Sequence, residues 1–206
     1  MFKLQEPTTA ITDFLLGLES FAFAALLTAG TYTFPSLPYW TATLIMLGIA
    51  ALLGGFAHGL ARFSIFAIIY PCLAILMTSF ILATLVDSFG QELAHQVRWF
   101  IAFLALIFML VAWRYPTRIR AYAVVLAALM ILAFLLYLRQ ALTTTLPGSA
   151  YIAAGIATTI LAAALLLKRA RITLIWTFDH NGVYHLVQMV GVLFFYLGLS
   201  QRSIAM

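Results

Sequence analysis

Residues 40–86 read WTATLIMLGIAALLGGFAHGLARFSIFAIIYPCLAILMTSFILATLV, 47 positions in which Arg62 is the only Asp, Glu, Lys or Arg. A hydrocarbon core roughly 30 Å thick is crossed by about 20 helical residues at about 1.5 Å each, so one helix of this length would be twice what a bilayer needs. The stretch therefore reads as two spans, 40–62 and 64–86, that turn back at Arg62. Working outward, five further apolar runs occupy 11–30, 96–114, 119–138, 149–167 and 181–199. They are separated by Pro35 and Pro38, by the polar residues from Asp87 to His95, by Pro116, by Pro147 with Gly148, and by the segment 168–179. The pattern predicts an all-α integral membrane protein, a single seven-transmembrane-helix bundle over 1–206 with almost nothing left for a soluble domain.

Composition agrees. The chain is 65% hydrophobic and 8% charged, too little polar surface to cover a soluble globule of this size. Eleven basic residues against six acidic ones would suggest a nucleic-acid partner in a soluble protein. Here the basic residues sit between apolar runs, as topogenic signals do, so nucleic acid is excluded as a partner and membrane lipid is the expected environment. By alternation, Lys3, Arg62, Arg114, Arg118, Arg120, Lys168, Arg169 and Arg171 fall on the amino-terminal side, against Arg98, Arg139 and Arg202 on the other. That asymmetry predicts a cytoplasmic amino terminus in a multi-pass protein. Glu6, Asp13 and Glu19 make the first run unlike a cleaved signal peptide, so it is expected to remain in the mature chain. The single cysteine, Cys72, carries no information about compartment.

A charged residue near the bilayer centre costs at least about 2.5 to 3.5 kcal/mol on insertion scales, so each ionisable group inside a span needs a reason. Five stand out: Asp13 and Glu19 on the first span, His58 on the second, and His180 and His185 at the opening of the seventh. In the alternating topology all five lie toward one face. Asn181, Tyr184, His185 and Gln188 follow at i, i+3, i+4 and i+7, one polar stripe of a helix. His180 is about 140° from His185 on an ideal helix, so the two converge only if His180 stands on an irregular lead-in.

Three neutral imidazoles from His58, His180 and His185 would make a zinc site with a fourth position open for water. Asp13 or Glu19 would then orient that water or act as general base in metal-assisted hydrolysis. Buried histidines and carboxylates also pair simply to satisfy hydrogen bonds between helices, and both possibilities stand at this point. Other features read as structure. Gly55 and Gly59 form a small-xxx-small pair, and Ala153, Gly155, Ala157 and Ala162 give the sixth span a flat face, so both should pack inside the bundle. Pro71 should kink the third span. Trp40, Trp99, Trp113, Tyr32 and Tyr39 read as interfacial aromatics. Asp87, Ser88, Gln91, Glu92 and His95 read as a polar loop with capping-box spacing, His95 being a solvated loop residue.

The seven-span count, Gly54-Gly55-Phe56-Ala57-His58-Gly59 at the end of the second span, and His180-Asn181-Gly182-Val183-Tyr184-His185-Leu186-Val187-Gln188 at the start of the seventh resemble the CREST superfamily of seven-helix membrane proteins. That group includes alkaline ceramidases and the adiponectin and progestin receptors. The same two segments with Ile11-Thr12-Asp13-Phe14-Leu15-Leu16 also look similar to an uncharacterised family of small multi-pass proteins. The ceramidase-like resemblance implies one zinc on His58, His185 and His180, and a bound water that cleaves a lipid amide. Where that family has a serine four residues before the second-helix histidine, this chain has Gly54; its third span has no aspartate; and its last two histidines are five apart, with Asn181 at the expected position. The expectation is thus a zinc-dependent intramembrane hydrolase of a lipid amide or ester, with membrane lipid as its substrate. The alternative is a non-catalytic receptor, transporter or assembly subunit with a buried His/carboxylate network. Proton or ion transport through that layer is a third possibility.

Overall fold

The computed structural model describes residues 5–60, 63–114, 119–173 and 176–204. Lys3, Arg62, Pro116 and Arg118, which the topology and the span boundaries use, lie outside them. Seven α-helices are described: α1 (Pro7–Ala29), α2 (Leu37–Leu60), α3 (Phe66–Phe89), α4 (Gln91–Arg114), α5 (Ile119–Leu142), α6 (Ser149–Leu167) and α7 (His180–Ser200). Six of them, α1 to α4, α6 and α7, are long and apolar enough to cross a membrane. The described apolar part of α5, Leu126–Leu142, is shorter. The long stretch divides as expected: α2 ends at Leu60 and α3 begins at Phe66, after a short 3-10 turn over Phe63–Ile65. α3 continues through Pro71 as a single α-helix.

Helix α1 packs on α2 and α7, α2 on α3, α3 directly on α5, α5 on α6, and α6 on α7, closing a ring. Helix α4 leans on α3 and lies outside that ring, exposing Trp99, Phe100, Phe103, Ile107 and Leu110. On α1 the buried positions Thr9, Thr12, Asp13, Leu16, Gly17, Ser20, Ala24 and Leu27 recur at helical spacing and face the ring, while Ile11, Leu15, Leu18 and Leu26 are exposed. Small residues let the axes approach. A Cβ on Gly54 would meet the Asp13 carboxylate at 3.1 Å, one on Gly55 the Phe14 ring at 2.9 Å, and one on Gly155 the Phe195 ring at 2.7 Å. The interior is built around Trp40, Tyr137, Leu44, Ile152, Ile156, Val192 and Leu199.

Two expectations are corrected. Trp40 does not face outward from the bundle; it is fully buried, edge-on to Phe80 at 5.7 Å between ring centres. The polar loop from Asp87 to His95 is a single residue, Gly90, at φ 89°. Asp87 and Ser88 close the last turn of α3, and Gln91, Glu92 and His95 open α4; only glycine enters so tight a turn without steric penalty. The segment between α6 and α7 holds a short antiparallel pair, β1 (Ile172–Thr173) with β2 (Thr177–Phe178), which leads into α7.

Candidate functional site

The near face of the ring, where α1 and α7 start and α2 ends, gathers most of the ionisable residues noted above. Its geometry begins at Asp179, whose carboxylate accepts from the Gly182 amide at 2.8 Å and so caps α7. The same carboxylate accepts from the Thr9 hydroxyl, 2.8 Å from each oxygen, fastening the first turn of α1 to the start of α7. On the other side of α1, Glu6 Oε2 lies 2.6 Å from His58 Nδ1 on α2. That pair is partly open, with the Glu6 side chain 41% exposed.

One turn deeper lies the second rung. Asp13 Oδ1 is 3.2 Å from His185 Nε2, and the Thr12 hydroxyl is 3.1 Å from His185 Nδ1. Both ring nitrogens of His185 therefore face side chains of α1. Asp13, Thr12 and His185 are all buried, and Asp13 rests on the bare backbone of Gly54. Asp13 Oδ2 is buried without a hydrogen-bond partner. Below it, Gln188 Nε2 donates to Thr159 Oγ1 of α6 at 3.1 Å, and Tyr184 meets the His185 ring edge-on at 5.2 Å between centres.

The expected residues thus separate into distinct contacts. His185, Asp13, Tyr184 and Gln188 belong to the buried stripe. His58 pairs with Glu6 on the outer rung. His180 is the first residue of α7 and already helical, which turns it about 140° from His185 around the axis. Asn181 is half-buried beside it. Glu19 lies about two turns beyond Asp13, its Oε2 buried and without a partner, so it does not join the histidines. Among the described residues no group of three or more His, Cys, Asp or Glu side chains is placed to hold a metal. His185 could ligate zinc only by giving up Asp13 or Thr12. The donor set expected for zinc is therefore not assembled among the described residues.

A second polar centre, absent from the sequence-based expectations, occupies the far face. Asp87 Oδ2 accepts from Tyr137 Oη at 2.6 Å and Trp40 Nε1 at 3.1 Å, while Asp87 Oδ1 accepts from Arg202 Nη1 at 2.7 Å. Arg202 also donates to Ser36 Oγ at 2.9 Å, and Gln140 Nε2 to the Asp87 carbonyl at 3.1 Å. Helices α2, α3 and α5 and the turn after α7 are tied together there. The signal available was that Asp87 and Arg202 fall on the same face of a chain with very few charges.

The model of a family of unknown function, DUF6962, matches residues 8–204. The chain belongs to that family. The match runs from the second residue of α1 to the end of the turn after α7, so the DUF6962 unit includes both polar centres apart from Glu6. No curated protein and no solved structure matches the chain. The ceramidase-like resemblance of this DUF6962 member rests on its motif residues alone.

Proposed function

We propose that this protein is a multi-pass integral membrane protein with a cytoplasmic amino terminus, and that it works as a non-catalytic receptor or carrier rather than as a hydrolase. Membrane embedding is supported by the long apolar helices and by the bare hydrophobic flank of α4. The orientation is supported by the excess of Lys and Arg on the amino-terminal side. The observation that carries the functional choice is His185: each ring nitrogen faces a side chain of α1, so the histidine joins two helices and offers no free position to a metal or a substrate.

A hydrolase remains the second reading because Thr12, His185 and Asp13 stand in the order hydroxyl, imidazole, carboxylate. It ranks lower because Thr12 is 1% exposed and its hydroxyl lies 2.9 Å from the Thr8 carbonyl and 3.0 Å from that of Thr9. A lipid carbonyl has no approach to that oxygen. The test is metal analysis and lipid amide and ester hydrolysis with the purified full-length protein. Substoichiometric zinc and no turnover are expected; stoichiometric zinc lost in His58→Ala and His185→Ala, or turnover lost in Thr12→Val, would overturn the proposal.

A further inference from the structure

We propose that Asp13, His185 and Thr12 form a proton-binding site between α1 and α7, one that takes up a single proton with every hydrogen bond of the His185 ring retained and no heavy atom displaced. The geometry allows two complete bonding patterns. In the first, Nε2–H donates to Asp13 Oδ1 at 3.2 Å and the Thr12 O–H donates to Nδ1 at 3.1 Å. In the second the ring carries a proton on both nitrogens, so Nδ1–H donates and Thr12 must accept. The Thr12 O–H then turns about its C–O bond to the carbonyl of Thr8 at 2.9 Å or Thr9 at 3.0 Å. One N–H bond forms at Nδ1, the hydroxyl keeps its own proton, and nothing else is made or broken.

A purely structural Asp–His pair has no need of such a rotor. Threonine is the residue that provides it, because its hydroxyl can reverse from donor to acceptor and a helix supplies spare carbonyl lone pairs at i−3 and i−4.

The groups facing the site are known from each element around it. Before α1 stands Glu6, one rung outward, and on α1 Glu19, about two turns deeper. On α2 His58 lies one turn from Gly54, the residue on which Asp13 rests. At α7 they are the capping Asp179, His180 and Tyr184. Lys168 and Arg169 stand exposed at the end of α6, and β2 contributes Thr177 and Phe178. The Glu6–His58 rung is half-open, with Glu6 41% exposed.

The inference rests on the non-catalytic reading in one respect, that the His185 nitrogens carry no metal. The experiment uses the full-length chain labelled with nitrogen-15 histidine in phosphatidylcholine nanodiscs, with zinc measured on the same sample and His185 assigned through His185→Gln. Its ring nitrogens are followed over the pH range in which the protein stays folded. The expected result is passage from one to two protonated nitrogens in the wild type, loss of the doubly protonated ring in Thr12→Val, and its return in Thr12→Ser. A metal-free wild-type ring that never gains the second proton, or equal titration in wild type and Thr12→Val, overturns the proton site alone. Stoichiometric zinc with a metal-shifted His185 nitrogen overturns the non-catalytic reading and the proton site together. The wild-type titration decides the matter even where Thr12→Val does not fold.

Discussion

Arg202 Nη1 lies 2.7 Å from Asp87 Oδ1, joining the turn after α7 to the end of α3 with side chains only 3% and 5% exposed. An ion pair so fully enclosed fixes which surfaces meet more than it adds stability, because both charges have left water. Removing one partner is a different matter, since the other charge is then buried alone. Asp87→Ala is expected to destabilise the fold by about 3 to 5 kcal/mol, or to abolish folded protein, and the double variant Asp87→Asn with Arg202→Gln to cost less than Asp87→Ala alone. Thermal unfolding in detergent measures both; a double variant as damaged as the single one would contradict this account.

Two glycines with left-handed backbone separate strain from packing. Gly90, at φ 89°, has nothing within 4 Å of where a Cβ would stand, whereas Gly148, at φ 74°, has the Gly198 carbonyl of α7 in that position. Gly90→Ala is therefore expected to cost only the strain of a backbone conformation almost exclusive to glycine, φ 89° with ψ 170°, about 1 to 3 kcal/mol. Gly148→Ala must also push α6 off α7 and should cost clearly more. Equal unfolding midpoints for the two variants would count against the packing described here.

The helices were legible because long apolar runs make up most of this chain; even the division near Arg62 followed from length alone. Partners were not. Helical periodicity says which residues share a stripe, as with His185 and Gln188, but not that the stripe of α7 meets Thr12 and Asp13 of α1. The Asp87 centre was hidden for a related reason. Polar residues at two helix ends joined by Gly90 have the composition of a loop, and Trp40 near the end of a span cannot be told from an interfacial tryptophan until its neighbours are known.

The outer and inner rungs of the near face should respond differently to substitution. Glu6 is substantially exposed, so Glu6→Gln is expected to cost no more than about 1 kcal/mol, an effect that shrinks as salt is raised. Asp13→Ala strips a buried His185 nitrogen of its partner and should cost about 1 to 3 kcal/mol, largely independent of salt. Unfolding curves at low and high ionic strength test the contrast, and a strong salt dependence for the Asp13 variant would place that pair in water.

Asp179 performs two tasks with one carboxylate, capping α7 through the Gly182 amide and holding Thr9 of α1. The two can be separated. Thr9→Val keeps the cap and loses only the tie to α1, while Asp179→Ala loses both, the cap alone being worth about 1 kcal/mol. Hydrogen exchange at the Gly182 amide should therefore accelerate in Asp179→Ala and change little in Thr9→Val. Comparable acceleration in both variants would mean that the first turn of α7 is held by its contact with α1 rather than by its own cap, and the near face would then open as a unit.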